Sequence, residues 1–188
     1  MGAREDIVAS FKYELQETPF DKITVAAICE GAGVSRKSFY TYFSDKVAIV
    51  EHLFDEHVVA PLRTLNASFD VEDLYAMMPI QQERIYQGIY REREYYYNLV
   101  HAIFGRDDVF LKVATRSLFD FNKQLFSRYR DFPSEWASEY TSYFFASSQA
   151  MLMQKWVYDG FAVSPHELAQ LYNGLTAHYW EGMYEGRK

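Results

Sequence analysis

The chain has 188 residues, with 19 Lys and Arg against 26 Asp and Glu, a net charge of −7. That length suits one domain or two small ones, and a chain 49% apolar and 24% charged is neither disordered nor membrane-like. The absence of a long apolar run excludes a transmembrane helix, "MGAREDIVAS" lacks a signal-peptide layout, and the lone Cys29 fits a reducing cytoplasm, the expected location.

Apolar positions Ile7, Val8, Phe11 and Leu15 recur at helical spacing and predict a first helix over 4–16, ended by Thr18-Pro19. Thr24 is the expected N-cap of a short second helix, with Val25, Ile28 and Cys29 facing inward. Gly31 and Gly33 end it, Gly33 being the position suited to a positive φ. Ser35 caps a third helix over 36–42, and Ser44 a fourth that starts at Asp45. Two short helices joined by the turn "GAGVS" form a helix-turn-helix. Phe39 and Phe43, four residues apart, belong on the buried stripe, which leaves Arg36, Lys37, Ser38 and Thr41 for solvent or a ligand.

Charge points to the same place. Residues 22–46 hold four cations (Lys22, Arg36, Lys37, Lys46) and two acids (Glu30, Asp45), net +2 in a chain of net −7. An acidic body with a small basic tip binds DNA through the tip.

From 51 to 188 the chain reads as helix throughout, with Pro61 expected to bend or end the fourth helix. Further helices are predicted over 80–93, 94–105, 107–130, 135–158 and 165–184. The strongest start signal is "SPHE" (164–167), where Ser164 and Glu167 make a capping box around Pro165. Tyr143, Ser147, Ala150, Met151 and Gln154 on one of the last two helices, and Leu168, Leu171, Leu175 and Tyr179 on the other, give apolar or small surfaces on more than one face. This predicts a homodimer interface of two helices per subunit.

The stretch "ITVAAICEGAGVSRKSFYTYFSDKVAIVEHLF" (23–54) carries the decisive pattern: Thr24, the Ala32-Gly33-Val34-Ser35 turn, Tyr40, the Tyr42-Phe43 pair and Lys46. Over residues 5–54 the sequence resembles the tetracycline-repressor (TetR) family of transcriptional regulators, with Tyr42 where that family often has His. "WVYDGFAVSPHELAQ" (156–170) also looks like the junction between the last two helices in one subgroup. The resemblance implies an all-α homodimer of nine helices. Residues 1–50 would be the DNA-binding domain and 51–188 the effector-binding and dimerisation domain. Helices 8 and 9 would form an intersubunit four-helix bundle. Such proteins usually repress, and a small molecule usually releases them.

On that frame, Arg36 or Lys37 is expected to read a guanine edge, with Ser38 and Thr41 on bases or phosphates. Thr24, Tyr40, Tyr42 and Lys46 are expected to clamp phosphates. Tyr86, Tyr90, Tyr97, Phe104, Phe119, Phe145 and Gln149 lie on the helices expected to line the effector pocket, which would suit an aromatic or cationic ligand. The expected partners are double-stranded DNA, a small effector and a second copy of the chain, with no membrane. No Gly-rich phosphate loop, Cys/His metal spacing or nucleophile elbow is present, so neither an enzyme nor a cofactor is expected. The competing reading is an adaptor or coactivator of the same fold that works through protein contacts.

Overall fold

The computed structural model describes residues 2–70, 73, 76–101, 108–129 and 132–185, and every regular element among them is helical. The helices are α1 (Ala3–Glu17), α2 (Val25–Gly31), α3 (Arg36–Tyr42), α4 (46–68), α5 (Met78–Arg91), α6 (Arg93–His101), α7 (Val109–Tyr129), α8 (Glu135–Tyr158) and α9 (Pro165–Glu185). Taking α4 as one element, the described residues give nine helices in an all-α fold. A 3-10 turn, Phe20–Lys22, joins α1 to α2. No helix among the described residues is long and apolar enough to cross a membrane.

Three of the four predicted caps form, and Ser134 caps α8 in the same way. Thr24, Ser35 and Ser134 each accept from the backbone N–H three residues on, at 3.2, 3.1 and 3.3 Å. Ser164 and Glu167 make the reciprocal box: the Glu167 N–H donates to Ser164 Oγ and the Ser164 N–H to Glu167 Oε2. The fourth helix is capped by Asp45 rather than Ser44: Ala48 N–H donates to Asp45 Oδ1 at 2.9 Å. A carboxylate one residue later outcompetes the hydroxyl, because it carries charge to the positive end of the helix.

α4 neither ends nor breaks at Pro61. Its middle, Asp55–Val59, widens into π-type turns, in which Ala60 N–H reaches Asp55 O. Proline has no N–H to give the carbonyl four residues back, that of His57. The wider turn just upstream absorbs the mismatch, and an Arg63–Asp55 ion pair at 2.7 Å spans it.

One continuous core runs through the molecule. Ile7, Phe11 and Leu15 of α1 meet Ile28, Phe39, Phe43, Ile49 and Leu53 at the N-terminal end. In the body, α7 lies against α8, α9 against α5, and α4 against α7. α4 crosses residue 50, so the two expected domains share a helix.

Candidate functional site

The turn between α2 and α3 fixes the geometry of the basic tip. Gly33 takes φ 64°, where other residues are strained, and Val34 N–H returns to Cys29 O at 3.0 Å. α1 braces the pair: Ser10 Oγ donates to Ile28 O at 2.9 Å. A Cβ at Gly31 would meet that hydroxyl at 2.4 Å, so a larger residue there would displace it from Ile28 O.

Phe39 and Phe43 are buried, which presents the rest of α3 outward. Arg36 and Lys37 stand exposed on its first turn, and neither is held in an ion pair by the described residues. Tyr40 is 58% and Tyr42 47% exposed, and the Tyr40 ring rests edge-on against Phe39 at 5.4 Å. Two rings anchor the helix and two present phenols. Ser38 is half-buried. Thr41 Oγ1 donates to Lys37 O at 3.1 Å, so it meets a ligand chiefly as an acceptor. Thr24 lies exposed at the start of α2.

Lys46 does something else. Its Nζ donates to the carbonyls of Phe20 (2.5 Å) and Ile23 (2.8 Å), approaches that of Asp21 (3.3 Å), and lies over the Phe20 ring at 4.5 Å. An ammonium has three protons, and three carbonyls surround this one. Burial lowers its pKa, partly offset by Asp21. The side chain expected to clamp phosphate is folded inward and ties the α1–α2 turn to the start of α4.

Residues 13–53 match the family model described as bacterial regulatory proteins, tetR family. Over this N-terminal stretch the chain is similar to the TetR family. The fold agrees along nearly the whole length. A TetR-family transcriptional regulator from Syntrophomonas wolfei aligns with a TM-score of 0.71 at 14% identity, covering 95% of this chain and 94% of that one. The dihydroxyacetone kinase operon activator DhaS aligns with a TM-score of 0.60 at 16% identity, covering 95% and 96%. No curated protein matches the sequence. The matched stretch contains the helix-turn-helix, α2 and α3.

The residues expected to line an effector pocket do not share one cavity. Tyr86 is buried with its ring edge-on to Trp156 at 5.8 Å, and burial pushes its phenol far up. Tyr90 faces outward, stacked on Trp156 at 6.1 Å and covered by Arg93. Tyr97 is exposed and stacked on His101 at 3.8 Å. Phe119 lines an open outer groove of about 740 Å³ between α7 and α8. Phe145 and Gln149 border a small internal void of about 20 Å³. Phe104 lies outside the described residues. Sequence reasoning missed Gln81, Gln82 and Asn122, which border the same void. Glutamines spaced along an amphipathic helix give no signal of facing inward.

The expected dimer residues also divide. Tyr143, Met151, Leu171 and Leu175 are exposed. Ser147 is half-buried, and Gln154 is half-buried with its amide on Asp108. Ala150 and Leu168 belong to this chain's own core, and Tyr179 packs against Phe145 at 4.6 Å. Trp136, Tyr140 and Phe144 extend the exposed strip on α8, Trp136 and Tyr140 unanticipated. Tyr140, Tyr143 and Met151 also form one wall of the 740 Å³ groove.

Proposed function

We propose that the protein is a cytoplasmic, ligand-responsive repressor that binds a palindromic operator as a homodimer and catalyses nothing. The observation that carries the reading is the pair of unengaged cations, Arg36 and Lys37, on the first turn of a helix whose inner face is anchored by Phe39 and Phe43. A major groove about 12 Å wide admits one such helix, and its first turn reaches base edges. Arg36 or Lys37 reads a guanine, and Ser38 and Thr41 touch bases or phosphates. Thr24, Tyr40 and Tyr42 hold phosphates without adding charge.

The exposed Tyr143, Phe144, Leu171 and Leu175 support pairing through α8 and α9. A two-fold dimer requires a two-fold operator. An effector releases DNA only by favouring a dimer geometry whose reading heads no longer fit successive grooves, and α4 is the element that both domains share. The adaptor reading keeps one support, the exposed Trp136, Tyr140 and Phe144, which would equally suit a protein partner.

The test is stoichiometry on a duplex enriched from random DNA. Light scattering of the complex should show two chains on one palindrome. Binding one chain to an asymmetric site, or enriching no sequence at low salt, defeats the reading.

A further inference from the structure

The body of the molecule buries an unusual concentration of carboxamides. Gln81, Gln82, Asn122 and Gln149 all border the 20 Å³ void, each less than 9% exposed. Asn66 and Ser142 are buried beside this group. Several of them satisfy one another: Gln149 Nε2 donates to Gln82 Oε1 at 2.5 Å, and Asn66 Nδ2 to Gln81 Oε1 at 3.2 Å. Asn122 Nδ2 lies 3.5 Å from Ser142 O. Two polar atoms, Asn66 Oδ1 and Ser142 Oγ, have no partner among the described residues. A buried orphan costs about 1–3 kcal/mol, so its persistence calls for a partner. The void has room for about one water, which needs roughly 10–15 Å³.

The void also has an antechamber. A surface pocket of about 250 Å³ between α4 and α7, lined in part by Asn66, shares Phe121 and Leu125 with it. Arg63 and Arg128 at its rim are already engaged, by Asp55 and by the carbonyls of Asn66 and Phe69. Among the described residues bordering the inner void none is charged. An ionic ligand would enter without a counter-charge and lose its hydration, whereas carboxamides offer a neutral one both donors and acceptors.

We infer that the effector is an uncharged, compact, hydrogen-bonding molecule that enters past Phe121 and is held by Gln81, Gln82, Asn122 and Gln149. This replaces the aromatic or cationic ligand expected from sequence, and it rests on the proposed ligand response. Binding exchanges the Gln82–Gln149 bond for bonds to the ligand and so separates α5 from α8. α5 is also the helix that packs on the widened turn of α4, which gives the ligand a route to the DNA-binding domain.

The experiment screens the full-length protein by ligand-observed NMR against small fragments sorted into neutral polar, anionic and cationic sets. It is repeated on Gln82→Met/Gln149→Met, a swap of similar volume that removes two buried amides, and on Asn122→Leu in case the first variant folds poorly. Hits confined to the neutral set, weakened at least tenfold in a folded variant, are expected. Hits only among charged fragments, neutral hits that bind the variants equally, or no neutral hit at all would overturn the inference. Each hit is then added to the protein–operator complex. A neutral fragment that binds here and leaves the complex intact counts against ligand response while the site stands. A charged fragment that dissolves the complex counts against this assignment while ligand response stands.

Discussion

Lys46 Nζ lies 2.5 Å from the Phe20 carbonyl oxygen, so the one lysine at the start of α4 secures the turn leading into the helix-turn-helix. A cation that touches phosphate contributes about 0.9 to the slope of log affinity against log salt, and a cation that braces the protein contributes nothing. Lys46→Met should therefore weaken operator binding and cost about 1 kcal/mol of stability. The salt slope should stay as in the wild type. A slope reduced by about one unit per subunit would return Lys46 to the phosphate clamp.

Gly88 of α5 sits against the His57 carbonyl, the group that Pro61 leaves without its helical donor. A Cβ on Gly88 would lie 2.1 Å from that oxygen. Gly88→Ala must push α5 off the widened turn of α4, at about 1–3 kcal/mol. Chemical denaturation should show that loss, and operator affinity should change with it because α4 also packs against α1 beneath the helix-turn-helix. Unchanged stability would show that the two helices slide apart freely.

His57 gives the same junction a pH dependence. Its Nδ1 lies 3.1 Å from the Tyr96 hydroxyl. Burial lowers its pKa; Glu92 and Glu56 oppose the shift, and Lys12 and His52 add to it. The folded pKa thus lies below the unfolded 6.5, and the unfolded chain binds more protons between the two. The stability held in the neutral ring is complete above pH 6.5 and is lost as pH falls through that value toward the folded pKa. Because the ring is partly screened by solvent, the loss should be below about 1 kcal/mol. Thermal melts on either side of pH 6.5 should show it, and His57→Gln should flatten the difference. An equal pH dependence in the variant would place the effect elsewhere.

Leu171 and Leu175 are 54% and 74% exposed on α9, so charging them disturbs no core of their own chain. Leu171→Glu/Leu175→Glu should keep its helical circular dichroism, run as a monomer, and lose operator binding by at least tenfold. A dimer that survives the change would move the interface away from this face.

Local chemistry was the legible part of the sequence. Thr24, Ser35 and the Ser164/Glu167 box act through neighbours three residues away, so type and spacing determine them. The stripe of Phe39 and Phe43 follows from helical period. What could not be read depended on distant segments. Lys46 finds carbonyls 23 to 26 residues earlier in the chain. Gln82 and Gln149 meet across 67 positions. Pro61 signals a break, and the break is avoided by a register change that no single residue encodes. Tyr90 and Tyr97, on helices expected to line the pocket, face outward, Tyr90 stacked over the outer side of the core residue Trp156 and Tyr97 on His101.

On the proposed reading, α3 meets DNA with Arg36 and Lys37. The direct measurement is selection of binding sites from random duplex DNA by the wild type and by Arg36→Ala/Lys37→Ala in parallel, with folding of both verified by circular dichroism. A palindrome enriched by the wild type and lost in the variant is expected. The same palindrome enriched equally by both proteins would contradict that reading.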